Sequence, residues 1–309
     1  MPSYSGVWNL VAVYQAVAQG NWPFPPLTGD IGLFGGGGTN VIEYVSITTT
    51  GNATDFGDLL VSMSTVSGCS SSTRGLWGAG SGNVINYVTI VSRGNAVDFG
   101  DLNNTSTGKA SCSNATRGIW AGGTDNINVI DYVTIATTGD AADFGDITTG
   151  TRYPFGTSSS TRGIIAGGNT AAGDGTNVIE YITFATTGNA TDFGDLSIGR
   201  NGASGNISSG TRGVFCGGEA ANTKYNRIDY ITIASTGNAT YFGDLAAATY
   251  LLAGCSNTTR GLSAGGRAAT STNVIEYITI ASTGNPTDFG DLTIARSGLS
   301  GCSNAHGGL

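Results

Sequence analysis

A six-fold internal repeat constrains this chain more than any other feature of its sequence. The segment Asn40–Tyr44, which reads Asn-Val-Ile-Glu-Tyr, returns five times at intervals of 43 to 49 residues. Each copy leads into a Gly-Asn or Gly-Asp turn and then into an aromatic-Gly-Asp sequence, such as the one at 56–58. The later copies begin at Asn83, Asn128, Asn177, Asn226 and Asn273. A repeat of this period predicts a fold assembled from copies of one supersecondary unit.

Each unit divides into four short segments that are typical of β-strands. The first surrounds a cysteine, as in Leu252–Cys255, and a turn ending in Thr-Arg-Gly leads to the second, as in Gly213–Gly218. The third contains the Asn-Val-Ile-Glu-Tyr segment, and the fourth is built around Asp-Phe-Gly-Asp-Leu. β-branched and aromatic residues separated by Gly and Asn predict strands joined by tight turns. The 51 glycines and the charged fraction of only 11% agree with this interpretation.

The two ends of the repeat region distinguish a closed ring from an open solenoid. The region opens at Ile31–Gly37 with a second strand that has no first strand before it. It finishes around Ser300–Ser303 with a first strand that has no second strand after it. A solenoid would carry polar caps instead, whereas a ring needs this complementarity. We therefore predict an all-β, six-bladed propeller of four-stranded blades over residues 31–309, closed by a C-terminal strand that completes the N-terminal blade.

Residues 1–30 lie outside the repeat and are expected to form a short N-terminal helix or extension. Apolar residues between 10 and 17 recur at helical spacing, and a Pro-rich segment at 22–26 indicates a stiff linker. A short apolar helix must pack on something, so it either docks on its own ring or anchors the protein to a partner. The candidate anchor residues are Trp8, Leu10, Val13, Tyr14, Val17 and Trp22.

Composition and charge argue against several classes of partner. The net charge is −8 with only 13 Lys and Arg residues, which disfavours a general nucleic-acid or anionic-membrane role. No apolar run approaches the roughly 18 residues of a membrane-spanning helix, so membrane insertion is not expected. Cys69, Cys112, Cys255 and Cys302 occupy one position in four repeats, too far apart for disulfides. We predict that they are small buried thiols.

The motifs that resemble catalytic or cofactor sequences have simpler explanations. Asp-Phe-Gly recurs five times without the lysine and the His-Arg-Asp loop of a kinase, and the glycine runs lack the Lys-Ser/Thr of a P-loop. Calcium would need six to eight oxygens, and Tyr241 replaces one of the repeated aspartates. His306 is the only histidine, which argues against a triad or a zinc site. We therefore predict no catalytic residues, no metal and no cofactor.

A repeated arginine is the first feature that suggests binding. It ends the turn between the first and second strands, and the first strand of a propeller blade lies innermost. The five guanidinium groups are therefore expected to ring one mouth of the central channel. They would either bind an anion or, in the interpretation that we favour, pair across blades with the repeated aspartates of the Asp58 type. The five residues are Arg74, Arg117, Arg162, Arg212 and Arg260.

Loop length is the second such feature. Only the loop between the second and third strands varies appreciably, from two residues in the first two copies to six, seven or eight in the last three. These loops all emerge on one face of a propeller, and variation confined to one face is how repeat scaffolds present a binding surface. The long loops are 169–176, 219–225 and 267–272. Their candidate binding residues are Asn169, Asp174, Glu219, Lys224, Tyr225 and Arg267.

The repeat also resembles known families. The Gly pair, the following Tyr and an aromatic residue about twelve positions later resemble the kelch repeat over residues 31–309, with Phe99 and Phe144 near the usual Trp position. The opening Met-Pro-Ser-Tyr-Ser-Gly-Val-Trp, the Trp-Pro linker and the repeats are similar to kelch-type proteins of tailed bacteriophages, especially marine and cyanobacterial ones. Such proteins are taken for tail-fibre or other virion components, so the resemblance implies a virion protein made in the host cytoplasm.

Three hypotheses about function follow. The first is a tail-fibre or appendage adhesin, in which residues 1–30 join other virion proteins and the long-loop face binds a host-surface glycan or lipopolysaccharide. Multiple copies on each particle would then multiply weak contacts. The second is a capsid or neck decoration protein without a receptor. The third is a glycan-processing propeller enzyme, which the missing acid/base residues disfavour, so we expect binding and not catalysis.

Overall fold

The structure is a computed structural model that describes residues 25–173 and 175–309. The predicted anchor at Trp8, Leu10, Val13, Tyr14, Val17 and Trp22 lies outside the described residues, as does Asp174. Within these ranges the chain forms strands and a single 3-10 helix, Thr124–Asn126. No helix in the described part of the chain is long and apolar enough to cross a membrane.

Six antiparallel four-stranded sheets form the blades of a β-propeller, as the repeat predicts. We number the blades I to VI in chain order. Blade I contains β1 (Ile31–Gly36), β2 (Thr39–Ser46) and β3 (Thr54–Met63). Blade II contains β4 (Ser67–Ser70), β5 (Arg74–Gly78), β6 (Val84–Thr89) and β7 (Val97–Asp101). Blade III contains β8 (Ala110–Ser113), β9 (Arg117–Ala121), β10 (Val129–Thr134) and β11 (Ala142–Asp146).

The remaining blades repeat this order. Blade IV contains β12 (Phe155–Ser158), β13 (Arg162–Ala166), β14 (Val178–Thr183) and β15 (Thr191–Asp195). Blade V contains β16 (Ser204–Ser208), β17 (Arg212–Cys216), β20 (Arg227–Thr232) and β21 (Thr240–Asp244), with a small hairpin of β18 (Glu219–Ala220) and β19 (Thr223–Lys224). Blade VI contains β22 (Ala253–Ser256), β23 (Arg260–Ala264), β24 (Val274–Thr279) and β25 (Thr287–Asp291). The last strand, β26 (Leu299–Ser303), completes blade I.

The ring closes through blade I, as the ends of the repeat region predict. β26 pairs antiparallel with β1, from Gly32 opposite Ser303 to Gly36 opposite Leu299. The innermost strand of each blade contacts the innermost strands of both neighbours, including β26 with β22 and with β4. The two ends of the described chain are therefore joined in a single sheet.

The core lies between the blades, where large apolar side chains from adjacent sheets meet. Trp77 and Phe34 are fully buried in two of these interfaces. The tyrosine of each third strand also meets the aromatic ring of its fourth strand edge to face, with centroids 5.7–6.3 Å apart. This geometry is favourable for aromatic pairs. It accounts for the constant Tyr-to-Phe spacing in the repeat.

The repeated cysteines are packing residues, which confirms the prediction of buried thiols. All five cysteines are free and buried. The thiol of Cys69 faces Gly118 of the next blade so closely that a Cβ there would lie 2.6 Å from the sulfur. Thr157 takes the cysteine's place in blade IV, where it faces Gly213 in the same way. The glycine of each Thr-Arg-Gly turn therefore makes room for the side chain at the cysteine position of the neighbouring blade.

The ring has two faces that differ in their connections. The turn face carries the turns from first to second and from third to fourth strand, such as 71–73 and 90–96 in blade II. The loop face carries the second-to-third loops and the connections between blades, such as 79–83 and 102–109. The described chain begins at the turn face, where the Leu27 amide donates to the Val91 carbonyl at 2.8 Å. Within residues 25–30, Leu27 and Asp30 therefore contact the ring, and the Asp30 carbonyl accepts from the Ile47 amide at 2.9 Å.

The aromatic-Gly-Asp motif fastens neighbouring blades on the turn face. The Asn95 side chain accepts a hydrogen bond from the Asp58 amide at 3.0 Å, and an equivalent bond occurs at all six interfaces. Gly57 lies against the backbone of Gly94, and a Cβ at Gly57 would meet the Gly94 carbonyl oxygen at 2.3 Å. The motif therefore needs glycine for close approach between blades.

Candidate binding face

The five repeated arginines brace the turn face. Each guanidinium lies over the tyrosine ring of its own blade, 4.3–4.8 Å from the centroid. Arg74 also donates to the Ile135 carbonyl of the next blade at 2.9 Å, and Arg162, Arg212 and Arg260 make the equivalent bond at 3.0 Å. Arg117 likewise donates to the Phe184 carbonyl.

This arrangement corrects the sequence prediction for Arg74, Arg117, Arg162, Arg212 and Arg260. The five guanidinium groups neither ring the channel mouth nor pair with the repeated aspartates; none forms an ion pair with a described carboxylate. The tyrosine ring and the strand-end carbonyl of the next blade satisfy the charge instead. In blade I, which lacks this arginine, Arg93 from blade II takes its place over Tyr44 at 4.8 Å.

Serines and the C-terminal residues occupy the mouth of the channel on the turn face. Ser113 donates to the Ser70 carbonyl at 2.8 Å and Ser158 to the Ser113 carbonyl at 2.7 Å, so the innermost strands are linked by hydroxyls. His306 inserts into this ring and is buried. Its Nδ1 accepts from the Gly308 amide at 3.0 Å, which assigns the proton to Nε2, 3.1 Å from the Ser70 carbonyl.

Burial away from water lowers the pKa of His306 from 6.5 to about 4, and the hydrogen bond to the Ser70 carbonyl opposes this shift only in part. The ring is therefore neutral at physiological pH and acts as a buried plug. It lies against backbone and serine oxygens inside the mouth.

Asn206 closes the channel below this plug. Blade V has a β-bulge between Ser204 and Ile207, and Asn206 takes up a left-handed φ of 59° there. Its amide reaches across the axis to the carbonyls of Gly68 at 2.8 Å and Gly301 at 3.0 Å. Asn206 is not among the site residues predicted from the sequence, although a Gly-Asn pair inside a strand is a signal for a bulge.

A belt of backbone hydrogen bonds surrounds the funnel on the loop face. One residue in each connection between blades has a φ of 50–71°. In five of six steps its amide donates to the carbonyl of the preceding member at 2.6–3.0 Å, and the Val66 amide closes the belt onto Gly298. The six residues are Thr65, Gly108, Tyr153, Gly202, Leu251 and Gly298. Glycine and larger residues alternate because Tyr153 covers Gly108, where a Cβ would lie 2.5 Å from the ring.

The funnel inside this belt has a cavity volume of about 70 Å³. This is smaller than the few hundred Å³ of a typical small-molecule pocket, so the funnel has room for one small group of a larger ligand. Asn206, Tyr153 and Ser300 contribute amide, aromatic and hydroxyl groups to its lining. Lys109 lines it as well, but its ammonium is buried and donates to the Gly122 carbonyl at 3.0 Å. The funnel can therefore offer neutral polar and aromatic groups to a ligand.

The long loops of blades IV, V and VI form a connected wall on one side of the funnel. Asn169 of the first loop accepts from the Asn201 side chain at 3.0 Å, and Asn201 also donates to the Glu219 carbonyl at 2.8 Å. Asn201 and Glu219 pair as an isolated bridge, and Tyr250 pairs with Arg267 in the same way. The structure thus brings Asn169, Glu219 and Arg267 together along one edge.

The second and third loops are joined by Lys224. Its ammonium donates to the Ala268 carbonyl and lies 5.4 Å from the Tyr250 ring centroid. The Tyr225 amide donates to Gly218 at 2.8 Å, which fixes the base of the hairpin. Arg267 is exposed, whereas Asn169, Glu219, Lys224 and Tyr225 are half-buried. We name residues 169–173, 175–176, 219–225 and 267–272 the loop wall.

Fold and surface together define the class of this molecule as a six-bladed β-propeller whose long loops lie on one face. The chain matches no protein-family model and no curated protein. Among the described residues no group of His, Cys, Asp or Glu is arranged to hold a metal ion. A propeller fold serves many functions, so function must be argued from the surfaces.

Proposed function

We propose that the protein is a virion component of a tailed bacteriophage, an appendage adhesin that binds the host surface through its loop face and acts without catalysis. The observation that carries the proposal is that the start of the described chain and the long loops lie on opposite faces of the ring. The described chain begins on the turn face, whereas the loop wall and the funnel lie on the loop face. A ring attached by the N-terminal extension on one side would therefore present the loop wall away from the particle.

The chemistry of the loop face suits a neutral or weakly charged glycan. The funnel contributes amide, hydroxyl and aromatic groups, and the wall contributes Asn169 and Arg267 beside it. Ligand sites generally combine an apolar lining with a few polar groups that fix orientation. Weak single contacts become effective when many copies act on one particle. The resemblance to kelch-type phage proteins supports the same role.

Host-cell binding by clustered propeller tests the adhesin role. The variant replaces 169–176, 219–225 and 267–272 with two-residue connections like the one in blade II. We expect unmodified clusters to bind host cells or lipopolysaccharide and the loop-deleted clusters to lose at least ten-fold in avidity. The matched control carries alanine at Thr50, Thr138 and Thr187, which are exposed on the turn face. Absence of binding by the unmodified clusters would favour the decoration role.

Removal of residues 1–24 tests the attachment role. Residues 25–30 stay in the variant because Leu27 packs on the core of blade I and Asp30 accepts a bond from Asn257 at 2.8 Å. We expect the truncated protein to fold and to bind cells when clustered, but to be missing from purified particles. Normal incorporation into particles would contradict attachment through the N-terminal extension.

A further inference from the structure

The acidic position of each third strand points between two blades. In blade I the Glu43 carboxylate accepts from the Thr293 amide at 2.6 Å. In blade IV Glu180 accepts from the Thr148 amide at 2.9 Å. Both carboxylates are almost fully buried, with 0% and 5% of the residue exposed. Such a carboxylate is costly to bury unless it is paired or hydrogen-bonded.

In blades I, III and V a cationic side chain pairs with this acidic residue. The cation comes from the connection that leads into the blade. Arg296 pairs with Glu43 in blade I, and Lys109 lies 3.8 Å from Asp131 in blade III. Arg200 lies 2.7 Å from Asp229 in blade V. In each pair both side chains are at most 2% exposed.

The guanidinium of Arg296 shows what this position holds. It donates to the carbonyls of Gly36 and Val41 at 2.9 Å and of Phe34 at 3.3 Å. It also reaches the Thr39 hydroxyl at 3.3 Å. With the Glu43 carboxylate, these oxygens form a five-acceptor cradle around one planar cation. Multiple donors in a fixed fork are the property that distinguishes guanidinium from ammonium.

Blade IV has the same cradle but a short side chain where the arginine would be. Thr151 occupies the position of Arg200 and Arg296, two residues before the belt glycine in those repeats. A cavity of about 80 Å³ adjoins it. Five lining residues are the repeat equivalents of the Arg296 acceptors: Ile165, Gly167, Thr176, Val178 and Glu180. This volume is several times the minimum of about 15 Å³ that holds one water.

The other two blades without a cation are built differently. In blade II the acidic position is the neutral Asn86, and the Met63 sulfur lies 3.9 Å from its amide nitrogen. In blade VI Glu276 is only half-buried, so water shares its solvation. Blade IV alone among the described blades combines a buried carboxylate, a threonine in the arginine position and a lined cavity of this kind.

We propose that this blade IV cavity is a binding site for a guanidinium group presented by a ligand. The group would lie where the Arg200 and Arg296 guanidinium groups lie in blades V and I. The Glu180 carboxylate would supply a charge-assisted bond, and the Thr176 hydroxyl and the strand carbonyls would accept the remaining donors. Thr148, Thr149 and Val178 are exposed at the rim, so the cavity opens to solvent on the side of the loop wall. The site is independent of a virion role.

Methylguanidinium is the probe that tests the site on the full chain. We expect saturable binding by calorimetry with a Kd in the millimolar range, as befits an ion of five heavy atoms. Methylurea, which has nearly the same shape and no charge, should bind at least ten-fold more weakly. Equal binding of both compounds, or no saturable binding of methylguanidinium, would overturn the proposal.

Two variants place the binding in blade IV. Thr151→Arg should fill the cavity with its own side chain, as arginine does in blades I and V, and should abolish methylguanidinium binding while the melting temperature is kept or raised. Glu180→Gln should weaken binding at least ten-fold. Glu180→Gln alters a buried hydrogen bond and could prevent folding. If the Glu180→Gln protein does not fold, the test of the site rests on Thr151→Arg. Unchanged methylguanidinium binding to the folded Thr151→Arg protein would contradict the proposal.

A second pair of probes distinguishes the source of the group. N-acetyl-arginine amide presents the guanidinium as a protein side chain does, and N-acetyl-lysine amide is its matched control. Binding of the arginine compound at least as tight as methylguanidinium, and lost in Thr151→Arg, would assign the site to an arginine of a partner protein. Tighter binding of free methylguanidinium would assign it to a small alkylguanidine.

Discussion

The turn face and the loop face are made by the same six repeats, yet one is uniform and the other is not. On the turn face every blade fastens to its neighbour through an Asn or Asp side chain, and an arginine covers every one of the six tyrosines. On the loop face the belt is backbone only, and the loops outside it differ in length. Because these side-chain contacts must recur at each interface, the residues that form them cannot vary between repeats. A belt held by backbone groups leaves the neighbouring side chains and loops free to diverge.

This difference predicts that a change to a contact between blades on the turn face destabilises the ring far more than a change of similar size on the loop face. Four measurements test this difference between the two faces.

The largest effect is expected for Gly57→Ala. The new Cβ would lie 2.3 Å from the Gly94 carbonyl oxygen, so the interface between blades I and II must open. We expect the free energy of unfolding to fall by about 3 kcal/mol, measured by urea denaturation. Gly51→Ala is the matched control because its φ of 156° resembles the 150° of Gly57 and nothing lies within 4 Å of its Cβ. Equal losses in the two variants would show that backbone strain, and not close approach, sets the cost.

The second effect is the pH dependence that His306 gives to stability. Its pKa is lowered in the folded state to about 4, so between pH 6.5 and 4 the unfolded chain binds more protons and stability falls as the pH falls. This residue should contribute a loss of about 2 kcal/mol between pH 7 and pH 5. The measurement is the free energy of unfolding at both pH values for the native chain and for His306→Gln. An equal pH dependence in both would show that the plug does not titrate in this range.

The third effect concerns the arginine brace. Arg260→Met removes the contact with the Tyr277 ring and the bond to the Ile47 carbonyl across the closing interface. We expect a loss of about 1–2 kcal/mol in the free energy of unfolding. Arg267→Met, an exposed arginine of the loop wall, is the control and should change stability by no more than about 0.5 kcal/mol. A cost for Arg267→Met as large as that for Arg260→Met would remove the distinction between the faces.

The smallest effect is expected from the loop wall itself. Replacing 219–225 with a two-residue connection removes the Lys224 bond to Ala268 and the β18–β19 hairpin, but no core residue of blade V. Shortening a surface loop changes its closure entropy by only about 1 kcal/mol. The melting temperature should therefore stay within a few degrees of the native value. A collapse of the fold would show that the wall is part of the scaffold.

Much of the fold could be predicted from the sequence because the same strand and turn pattern recurs in all six repeats. The strand patterns, the buried thiols and the closure of β26 onto β1 each depend on local pattern or on what is missing at the ends of the repeat region. The arginine partners could not be predicted, since every repeat with an arginine of the Arg74 type also contains an aspartate of the Asp58 type. Only the folded ring shows that a strand-end carbonyl, and not a carboxylate, lies within reach of each guanidinium.

The loop face was harder to predict for a different reason. Tyr153 and Leu251 adopt left-handed φ values that neither residue type signals, and the belt that imposes them exists only in the closed ring. Arg200 and Arg296 share a sequence pattern, because each lies two residues before a belt glycine, at 202 and 298. This shared position could have predicted that each arginine pairs with the acidic residue of the following third strand.

The two obstructions in the axis have a consequence for transport. Asn206 spans the channel, His306 fills its turn-face mouth, and the space between them is about 10 Å³. That space is about the size needed for one water molecule. The axis is therefore impermeable to solutes in this conformation, and the two mouths are separate compartments. A molecule held in the funnel must leave by the way it entered, because no open path leads through the ring to the turn face.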